Sequence, residues 1–391
     1  MEISRRSFFA SSLSAVSAAR VIGANDRIRL GIIGSGGRGQ YLMGCANQAG
    51  GIEWVAICDA WDERRNKAEK VANTAVAKYS EYRKLLEDKT IDAVIVATWD
   101  NMHAPVSIDV CRAGKDVYCE KPMTSTADQG PKLVQTVRET KRVFAVGTQQ
   151  RSMPVFLEAK EKFIDSGMIG QVGLVRTVWN YNTGYLETPP PGMETKPSGL
   201  DWDACLGWLP KQPWDPKRYF NRFAYWDFGT GAQTGGLFSH WADVANWYLK
   251  LTHPVSAVTT SGVYKYDDGR DTPDTVSTIL NYPQKVTVTF EGTLLDSREQ
   301  AYLEFMGTEG RLHISRGGYD YIPKDKSAQP IRRTKGGQDE LHVANWLACL
   351  RTRKEPNATV VDGHYGAMAC HMANLADKSG GRVMWNKEWE V

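Results

Sequence analysis

The stretch "RIRLGIIGSGGRG", residues 27–39, decides the fold of this 391-residue chain. Its first part, residues 27–33, is the mostly apolar run of a buried strand, and a helix is predicted to follow over residues 40–48. The loop between them fits the pattern G-x-G-x-x-G through Gly34, Gly36 and Gly39. In that pattern the first glycine permits a tight turn, the second lets the backbone approach a pyrophosphate, and the third packs the helix on the strand.

Strand and helix patterns continue to alternate after this loop. Strands are predicted at residues 52–58, 91–98, 115–119 and 142–148, with helices at about 62–78, at 103–113 and between the last two strands. Such alternation indicates a parallel, doubly wound sheet. We therefore expect an α/β protein with an N-terminal Rossmann dinucleotide-binding domain over residues 25–150.

An acidic residue supports the binding of a nucleotide at this loop. Asp59 follows the second predicted strand, twenty residues after Gly39, where a carboxylate accepts hydrogen bonds from the ribose hydroxyls and favours NAD. The nearby Arg64 and Arg65 leave NADP open as the cofactor, since arginine accommodates a 2′-phosphate. The first N–H groups of the following helix suit the phosphates. The predicted cofactor contacts of this region are Gly34, Ser35, Gly36, Gly37, Arg38, Gly39 and Asp59.

The composition is that of a globular protein, with 42% hydrophobic residues, 24% charged residues and a formal net charge of +3. This low charge, without a basic stripe interleaved with aromatic residues, argues against nucleic-acid binding. No apolar run approaches ~20 residues, so no stable membrane insertion is expected. The seven cysteines include no CxxC pair and are predicted to be core thiols, and we expect no metal site.

The first 24 residues have the layout of an export signal. The stretch "SRRSFFASSLSAVSAARVIGA", residues 4–24, has two arginines, two phenylalanines and then a mildly apolar run of small residues. This order is typical of a twin-arginine signal peptide. We therefore expect residues 1–24 to be recognised by the twin-arginine export machinery, and the mature protein to be periplasmic or otherwise exported.

A charged pair ends another of the predicted strands. In "KDVYCEKPM", residues 115–123, the strand stops at Glu120, Lys121 and Pro122. Lysine is costly to bury, and proline does not extend a sheet ladder. One interpretation is a surface turn. The other is an ammonium held at the mouth of a parallel sheet, where α/β proteins bind their ligands.

Five motifs of the first half resemble the Gfo/Idh/MocA family of glucose–fructose oxidoreductases and inositol dehydrogenases. They are "GIIGSGGRG" at 31–39, "AICDAW" at 56–61, "DAVIVATWDNMHA" at 92–104, "AGKDVYCEKPM" at 113–123 and "VGTQQRS" at 146–152. The resemblance implies that Lys121 is catalytic and lies beside the nicotinamide and the reacting carbon. It also implies cofactor contacts from Thr98, His103, Glu120, Lys121 and Gln149.

A lysine suits this position chemically. Oxidising a secondary alcohol requires a proton to leave the oxygen as a hydride leaves the carbon. A partly desolvated lysine near a positively charged nicotinamide has a lowered pKa and can accept that proton. The alternative for Lys121 is a structural ion pair. Trp99 stands where the family usually has proline, so the loop there is expected to differ.

The second half, residues 151–391, is predicted to form an α+β substrate and oligomerisation domain on an open, mainly antiparallel sheet. Its predicted strands are residues 171–182, 275–282, 285–292, 301–307 and 310–315. Short turns join the last four, as in an antiparallel meander. Helices at about 341–379 are expected to pack back on the Rossmann domain. The resemblance implies that the far face of the sheet makes the contact of a homodimer or homotetramer.

The stretch "GGLFSHWADVANW", residues 235–247, holds a second catalytic candidate, His240. The resemblance implies that this histidine is the partner of Lys121, while the alternative is a core histidine. The family often has an aspartate four residues earlier, where this chain has Gly236. Asp243, Asp227 or Glu120 could supply the missing carboxylate, and helix capping would also explain Asp243. The predicted substrate contacts are Arg151, Asn180, Arg222 and Asp243.

Residues 202–248 hold six of the 13 tryptophans. Flat aromatic faces with a polar edge suit sugar rings, which present apolar C–H faces and many hydroxyls. Most of these rings are expected in the core, and two or three of them against a ligand. Carbohydrate is therefore the predicted class of substrate.

Three functions are compatible with these residues. We prefer an NAD(P)-dependent oxidoreductase that transfers a hydride between tightly bound NAD and a hydroxyl-bearing carbon of a sugar, polyol or glycoside. The second is a redox-neutral enzyme, either an NAD-dependent glycoside hydrolase or a sugar transhydrogenase, in which a bound cofactor resets each turnover. Export favours it, because no free nicotinamide pool exists outside the cytoplasm. The third is a non-catalytic sugar-binding protein, which only Gly236 supports.

Overall fold

The computed structural model describes residues 27–181, 189–296, 301–334 and 336–391. The predicted export signal at residues 1–24 lies outside these ranges and stays a prediction. Within them, all seven cysteines are free thiols, and six are buried. No helix in the described ranges is both long enough and apolar enough to span a bilayer. The same ranges contain no group of three His, Cys, Asp or Glu side chains that could hold a metal ion.

The first half is a parallel sheet with helices on both faces. Its strands are β1 (Ile28–Ile33), β2 (Ile52–Cys58), β3 (Ala77–Tyr79), β4 (Ala93–Val96), β5 (Asp116–Cys119) and β6 (Phe144–Val146). Its helices are α1 (Gly37–Ala49), α2 (Asp62–Ala72), α3 (Tyr82–Glu87), α4 (Asp100–Arg112) and α5 (Gln129–Thr140). The strand order is β3-β2-β1-β4-β5-β6, and every pair is parallel. The predicted doubly wound α/β fold is confirmed.

This strand order places a crevice at the carboxyl ends of β1 and β4. The chain runs outward from β1 to β2 and β3 and then returns to β4 on the other side of β1. Ligands of open α/β sheets bind outside the carboxyl ends of the strands where the order reverses in this way. β4 is buried over its whole length, as expected for a strand that helices cover on both faces.

Helix α4 depends on a residue from the second half of the chain. It begins at Asp100, earlier than predicted, and runs through Pro105. A proline lacks the N–H that would bond the carbonyl four residues before it. Here that carbonyl belongs to Asn101, and it accepts a hydrogen bond of 2.7 Å from Nε1 of Trp208 instead.

The second half is built on a nine-stranded sheet. Its strands are β7 (Val172–Asn180), β8 (Ser256–Gly262), β9 (Thr275–Tyr282), β10 (Val286–Thr293), β11 (Ala301–Gly307), β12 (Gly310–Ser315), β13 (Gly318–Pro323), β14 (Ile331–Arg333) and β15 (Val383–Met384). The order is β14-β13-β12-β11-β7-β10-β9-β8-β15. Only the β7–β10 pair of this sheet is parallel, so the mainly antiparallel sheet is confirmed.

The predicted continuous meander is wrong at one point. β10 and β11 are consecutive in sequence, but β7 lies between them. At nine residues, β7 is the longest strand of this sheet, and it pairs along its length with both neighbours. A central position satisfies the most backbone groups of a long strand. It also places the end of β7 in the middle of the domain.

The described residues of the second half contain six α-helices. They are α6 (Pro154–Ala159), α7 (Trp202–Leu206), α8 (Pro216–Phe220), α9 (Ser239–Leu249), α10 (Glu340–Thr352) and α11 (Val360–Ser379). Helix α10 packs on the Rossmann half, where Trp346 and Val343 join the apolar cluster of Leu30 and Ile95. The indole of Trp346 meets the ring of Tyr118 edge-on, with centroids 5.6 Å apart. The last helices therefore complete the core of the first domain.

Candidate functional site

A cleft of about 840 Å³ opens at the carboxyl ends of β1, β2 and β4. Sites for small molecules and cofactors usually enclose about 300–1,000 Å³. From the first half, the predicted cofactor residues that line it are Gly34, Gly36, Gly37, Arg38, Asp59 and Thr98. From the second half, its lining includes Asp201, Asp203, Trp208, Tyr219 and Arg222. The cleft therefore lies between the Rossmann domain and a segment that follows β7.

The glycine loop allows the backbone to approach a ligand closely. Gly34 has a φ of +89°, and a Cβ there would lie 2.5 Å from the carbonyl oxygen of Ala97. A Cβ on Gly39 would lie 2.2 Å from the oxygen of Gly34. Gly36 caps α1 without any side-chain hydrogen bond, and the first turn has no acidic residue. The N–H groups of this first turn are therefore open to a ligand, and no atom lies within 4 Å of the position that a Cβ of Gly37 would take. This arrangement fits the pyrophosphate of a dinucleotide.

Asp59 lies at the end of β2 and is fixed by the backbone. Its Oδ2 accepts a hydrogen bond of 2.7 Å from the N–H of Ser35, and its Oδ1 accepts one of 3.0 Å from the N–H of Trp61. The guanidinium of Arg64 lies over the ring of Tyr219, 4.8 Å from its centroid. The Arg65 side chain donates to the Asp59 carbonyl oxygen. A carboxylate held in this way suits the ribose hydroxyls of NAD.

Residues 199–209, which we call the strap, cross the cleft edge of the Rossmann domain. The strap forms an isolated antiparallel bridge between Leu200 and Trp61. The N–H of Asp62 donates a hydrogen bond of 3.2 Å to the carbonyl oxygen of Gly199. The N–H of Asp201 donates one of 2.9 Å to the carbonyl oxygen of Ala60. These main-chain bonds attach the strap directly to the end of β2.

A second attachment joins the strap to α4. Besides the Trp208 indole, which donates to Asn101, the Asn101 side-chain amide donates to the carbonyl of Leu206 at 3.2 Å. Gly207 between them has a φ of +63°, and a Cβ there would lie 2.0 Å from Sδ of Met102. The strap therefore contacts both loops that border the cleft, after β2 and after β4.

Most of the tryptophans of residues 202–248 pack in apolar clusters, as expected. Trp202, which belongs to the strap, and Trp214 pack in an apolar cluster with Trp61 and Tyr219. Of the six tryptophans in this segment, Trp208 alone lines the large cleft. Trp241 and Trp247 pack instead in the core of the second half.

Glu120 connects the glycine loop to the end of β5. It is 5% exposed, and its Oε1 accepts a hydrogen bond of 2.7 Å from Nε of Arg38. Its Oε2 accepts one of 3.0 Å from the N–H of Lys121. Burial alone would raise the pKa of Glu120, but the charges of Arg38 and Lys121 lower it overall. Glu120 is therefore a carboxylate that fixes neighbouring cations.

His103 lies between the backbones of two loops. Its Nδ1 is 2.7 Å from the carbonyl oxygen of Pro122, and its Nε2 is 3.0 Å from that of Thr98. Both ring nitrogens therefore face main-chain acceptors. In this structure the ring links the loop at Thr98 to the turn that follows Lys121. The predicted contact of His103 with the cofactor stays a prediction.

Lys121 points towards the second half of the chain. Its Nζ donates a hydrogen bond of 2.6 Å to the carbonyl oxygen of Gly236, the position where the family often has aspartate. Gly236 lies in a π-helical segment, Gly231–Phe238, that leads into α9; such wide turns often occur at functional sites. Burial lowers the pKa of Lys121 from 10.5 to about 8, although Glu120 and Asp100 act to raise it.

His240 lies four residues after Gly236, in the first turn of α9. It is 5% exposed and stacks on Trp179, with ring centroids 5.4 Å apart. Its Nδ1 lies 3.2 Å from the side-chain amide of Gln150, and its Nε2 lies 3.4 Å from Nη2 of Arg316. Burial and the charges of Lys121 and Arg316 lower the pKa of His240 well below 6.5, so the ring is neutral at physiological pH.

Two of the predicted substrate residues are paired with each other. Nε of Arg151 lies 2.9 Å from both carboxylate oxygens of Asp243, which is 1% exposed. The Arg151 Nη1 also lies 3.1 Å from Asp362 on α11. Burial raises the pKa of Asp243 to about 6 despite the attraction of Arg151. This geometry makes them an ion pair between the chain after β6 and α9, and their contacts with the substrate stay a prediction.

Two more of the predicted site residues are Gln149, which follows β6, and Asn180, at the end of β7. Gln149 is buried, its Nε2 lies 3.3 Å from Oδ2 of Asp339, and its Oε1 has no donor among the described residues. A buried acceptor of this kind fits a cofactor amide. Asn180 ends β7 opposite Thr293.

Sequence reasoning missed three residues of the site. Gln150 is adjacent to the predicted Gln149, and both belong to the motif at residues 146–152, which was the available signal. Trp179 lies in the predicted strand β7, but only its central position shows that it reaches His240. Arg316 lies in the turn after β12, and no sequence pattern around it indicates a role in the site. In the structure its guanidinium lies over Trp179, 5.3 Å from the ring centroid.

Two family models match this chain. The model described as the oxidoreductase family with an NAD-binding Rossmann fold, GFO_IDH_MocA, matches residues 28–148. The model of the GFO/IDH/MocA C-terminal domain matches residues 210–313. Together they span more than half of the 391 residues.

Relatives and solved structures agree with these models. An inositol 2-dehydrogenase of Salmonella paratyphi B is 30% identical over 201 residues, 50% of this chain and 58% of that protein. The chain thus spans about half the length of the curated relatives that it matches. An aldose-aldose oxidoreductase from Caulobacter crescentus, solved with glycerol, superposes with a TM-score of 0.72 at 17% identity, over 92% of this chain and 100% of that one. The WlbA dehydrogenase from Bordetella pertussis, solved with NADH and UDP-GlcNAcA, gives 0.70 at 20% identity, over 92% and 99%.

Proposed function

Because this chain belongs to the Gfo/Idh/MocA oxidoreductase family and has its NAD-binding Rossmann domain, we propose that it transfers a hydride between bound NAD and a hydroxyl-bearing carbon of a carbohydrate. One observation carries the proposal. Lys121 lies just after the carboxyl end of β5 and has a pKa lowered to about 8. Its Nζ donates a hydrogen bond to the carbonyl oxygen of Gly236, four residues before His240. A lysine of this pKa can exchange a proton at neutral pH.

The reaction divides between the cofactor and the chain. When bound, NAD supplies the hydride acceptor at its nicotinamide. The glycine loop and the N-terminus of α1 hold the pyrophosphate, and Asp59 holds a ribose. Lys121, as the free amine, takes the proton from the substrate hydroxyl as the hydride leaves the carbon. Glu120 keeps Arg38 and the Lys121 backbone in place.

A carbohydrate substrate is supported by the aromatic side chains near His240 and by the named relatives. Trp179 and Tyr181 stack with centroids 6.4 Å apart, and Tyr181 is 39% exposed. Exposed aromatic faces suit the C–H faces of sugar and cyclitol rings. Relatives similar to this chain are named inositol 2-dehydrogenases, and a structure with the same fold is an aldose-aldose oxidoreductase.

The strap favours a second candidate, a redox-neutral enzyme that keeps its cofactor. The strap binds to both loops that border the cleft, and a covered cleft slows dissociation of a dinucleotide. A retained cofactor that is reduced and reoxidised in each turnover suits a glycoside hydrolase or a sugar transhydrogenase. The predicted export signal supports this candidate, since an exported enzyme has no free pool of NAD.

The non-catalytic alternative depended on Gly236. The carbonyl of Gly236 accepts the Lys121 hydrogen bond, so this position takes part in the site without a carboxylate. NADP stays open as a cofactor for the proposed reaction because Arg64 lines the cleft near Asp59.

One experiment separates these candidates. The mature protein, purified without added cofactor, is denatured, and the supernatant is analysed for NAD(H) and NADP(H). A second sample is incubated with a panel of sugars, polyols and aryl glycosides while aglycone release and absorbance at 340 nm are recorded. Rising absorbance without aglycone supports the dehydrogenase. Aglycone release without net absorbance, from protein that carries NAD, supports the hydrolase. Protein that neither carries nor binds a nucleotide would exclude both.

Removing the Trp208 indole should speed release of the cofactor. Trp208→Ala loses the hydrogen bond to Asn101 that anchors the strap to α4. Since one hydrogen bond contributes ~1 kcal/mol, we expect NAD to dissociate about fivefold faster. The measurement is the loss of NAD during gel filtration or its exchange with labelled NAD.

Trp226→Ala is the matched control for this prediction. Trp226 also donates from Nε1 to a main-chain carbonyl, that of Asp271, at 2.8 Å, but it does not line the large cleft. Equal NAD release from both variants would contradict a specific role of the strap in retention.

We also expect the protein to be a homodimer or homotetramer through the far face of the nine-stranded sheet. Val258 and Ile279 are direct cross-strand neighbours on β8 and β9, and they are 36% and 48% exposed. Exposed apolar pairs on a sheet face are typical of contacts between subunits. Sedimentation equilibrium of the wild type and of Ile279→Glu tests this, and a wild type that stays monomeric at micromolar concentration would contradict it.

A further inference from the structure

The side-chain amide of Gln150 lies between a guanidinium and an imidazole. With its oxygen towards Arg316, Gln150 accepts hydrogen bonds from Nη2 at 3.1 Å and from Nε at 3.2 Å. Its amide nitrogen then lies 3.2 Å from Nδ1 of His240 and donates to it. Three hydrogen bonds are made in this orientation.

The opposite orientation of the amide is worse. It would place the N–H groups of Gln150 against the N–H groups of Arg316 at the same 3.1 and 3.2 Å, and arginine has no acceptor. It would keep two hydrogen bonds at the His240 ring, one between Nδ1 and Gln150 at 3.2 Å and one from Nη2 of Arg316 to Nε2 at 3.4 Å, against the three bonds of the first orientation. The hydrogen-bond network therefore assigns the orientation in which the amide donates to His240.

This assignment fixes where the His240 hydrogen lies. A ring nitrogen that accepts a hydrogen bond carries no hydrogen, so a neutral imidazole with Nδ1 as acceptor has its hydrogen on Nε2. That N–H then lies 3.4 Å from Nη2 of Arg316. Two donors at this spacing can both donate to one oxygen atom that lies to one side of the pair, about 3 Å from each nitrogen.

We propose that Arg316 and Gln150 replace the carboxylate absent at Gly236, and that they hold His240 neutral with its hydrogen on Nε2. Gln150 is a positioning residue. Arg316 and His240 form a two-donor site for the substrate oxygen that becomes a carbonyl, and Lys121 alone takes the proton. This assignment of roles rests on the proposed function, while the tautomer of His240 does not.

The charges around His240 agree with this division of roles. Lys121, Arg316 and Arg38 all disfavour a proton on the ring. In the part of the chain that the structure describes, no carboxylate is hydrogen-bonded to His240. A histidine paired with a carboxylate would donate from Nδ1 and gain basicity, whereas His240 accepts at Nδ1 and is a donor at Nε2.

The tautomer can be measured directly by long-range ¹H–¹⁵N correlation spectra of the full chain with labelled histidine. The chain has seven histidines, and the signals absent from His240→Gln identify His240. At pH 7 the wild type should show the neutral ring with the hydrogen on Nε2. Either an imidazolium or a hydrogen on Nδ1 would overturn the proposal.

Gln150→Glu tests the cause of this tautomer. A carboxylate at position 150 can only accept, so the His240 hydrogen should move to Nδ1 or the ring should become an imidazolium at pH 7. Gln48→Glu, at an exposed position of α1, is the control and should leave the His240 signals unchanged. A Gln150→Glu protein that keeps the hydrogen on Nε2 would refute the role of Gln150.

Arg316→Met tests the two-donor site through kinetics. Loss of one donor to a developing oxyanion should lower kcat on the order of 10²-fold with little change in KM. An unchanged kcat would refute the role of Arg316. If no substrate is turned over at all, the proposed function fails, but the spectra of the wild type and Gln150→Glu still decide the tautomer.

Discussion

Replacing Lys121 by methionine is expected to lower kcat about 10²–10⁴-fold, the usual contribution of a general acid–base group, while bound NAD is kept. Methionine has a similar length but cannot accept a proton. Lys121→Arg should be as inactive, because arginine stays protonated in proteins. The measurement is turnover on the best substrate of the panel together with NAD content. Lys132→Met is the control, since the Lys132 side chain is 68% exposed on α5.

The pH dependence of this reaction has a definite sign. Alcohol oxidation needs the free amine of Lys121, whose pKa is lowered by burial to about 8. The kcat/KM for oxidation should therefore rise about tenfold per pH unit below pH 8 and level off above it, and the reverse reduction should fall above pH 8. Glu120, Asp100, Arg38 and Arg316 are the charges that set this value. A Lys121→Met protein with the same alkaline rise would contradict the assignment.

Removing the Arg151 side chain should produce the largest loss of stability. Arg151→Met leaves the Asp243 carboxylate, which is 1% exposed, without its cation. Breaking a buried ion pair on one side costs about 3–5 kcal/mol of the free energy of unfolding. The measurement is chemical denaturation at pH 7.5, above the pKa of about 6 that Asp243 has beside Arg151, so that the ion pair of the wild type is charged.

The double variant Arg151→Met with Asp243→Asn separates the pair from general packing. Because it leaves no buried charge, it should recover part of the loss, and the coupling between the two sites should be clear. Arg83→Met, whose side chain is 64% exposed, should change the stability by less than about 0.5 kcal/mol. If the double variant were as unstable as the sum of the single ones, the ion pair would not be the cause.

The sequence predicts the cofactor half well because its signals are local. The turn at Gly34, the open N-terminus of α1 and the carboxylate of Asp59 are each set by residues next to one another in the chain. The strand that ends before Lys121 also has a local pattern. In each case backbone conformation and position on a parallel sheet follow from residue type.

The second half is harder to predict because its contacts join distant residues. Arg151 and Asp243 are each plausible sugar ligands by type, and only the fold shows that they pair with each other. From the sequence, the indole of Trp208 is a candidate for stacking on a sugar. In the structure it donates to the carbonyl of Asn101, which lacks its helical partner because Pro105 has no N–H. The strand β7 lies between β10 and β11, and no local pattern encodes such an insertion.

The packing of α10 has a consequence for how the chain folds during synthesis. Trp346 and Val343 fill one side of the same core as Leu30, but they are made about 200 residues after β6. At a synthesis rate of about 5–20 residues per second, the first domain waits roughly 10–40 s on the ribosome for its last core residues. During that time the apolar face that will receive Trp346 is open to chaperones and to other nascent chains. A fragment that ends after β6 would keep that face exposed permanently, so domain exchange between relatives should carry α10 with the Rossmann half.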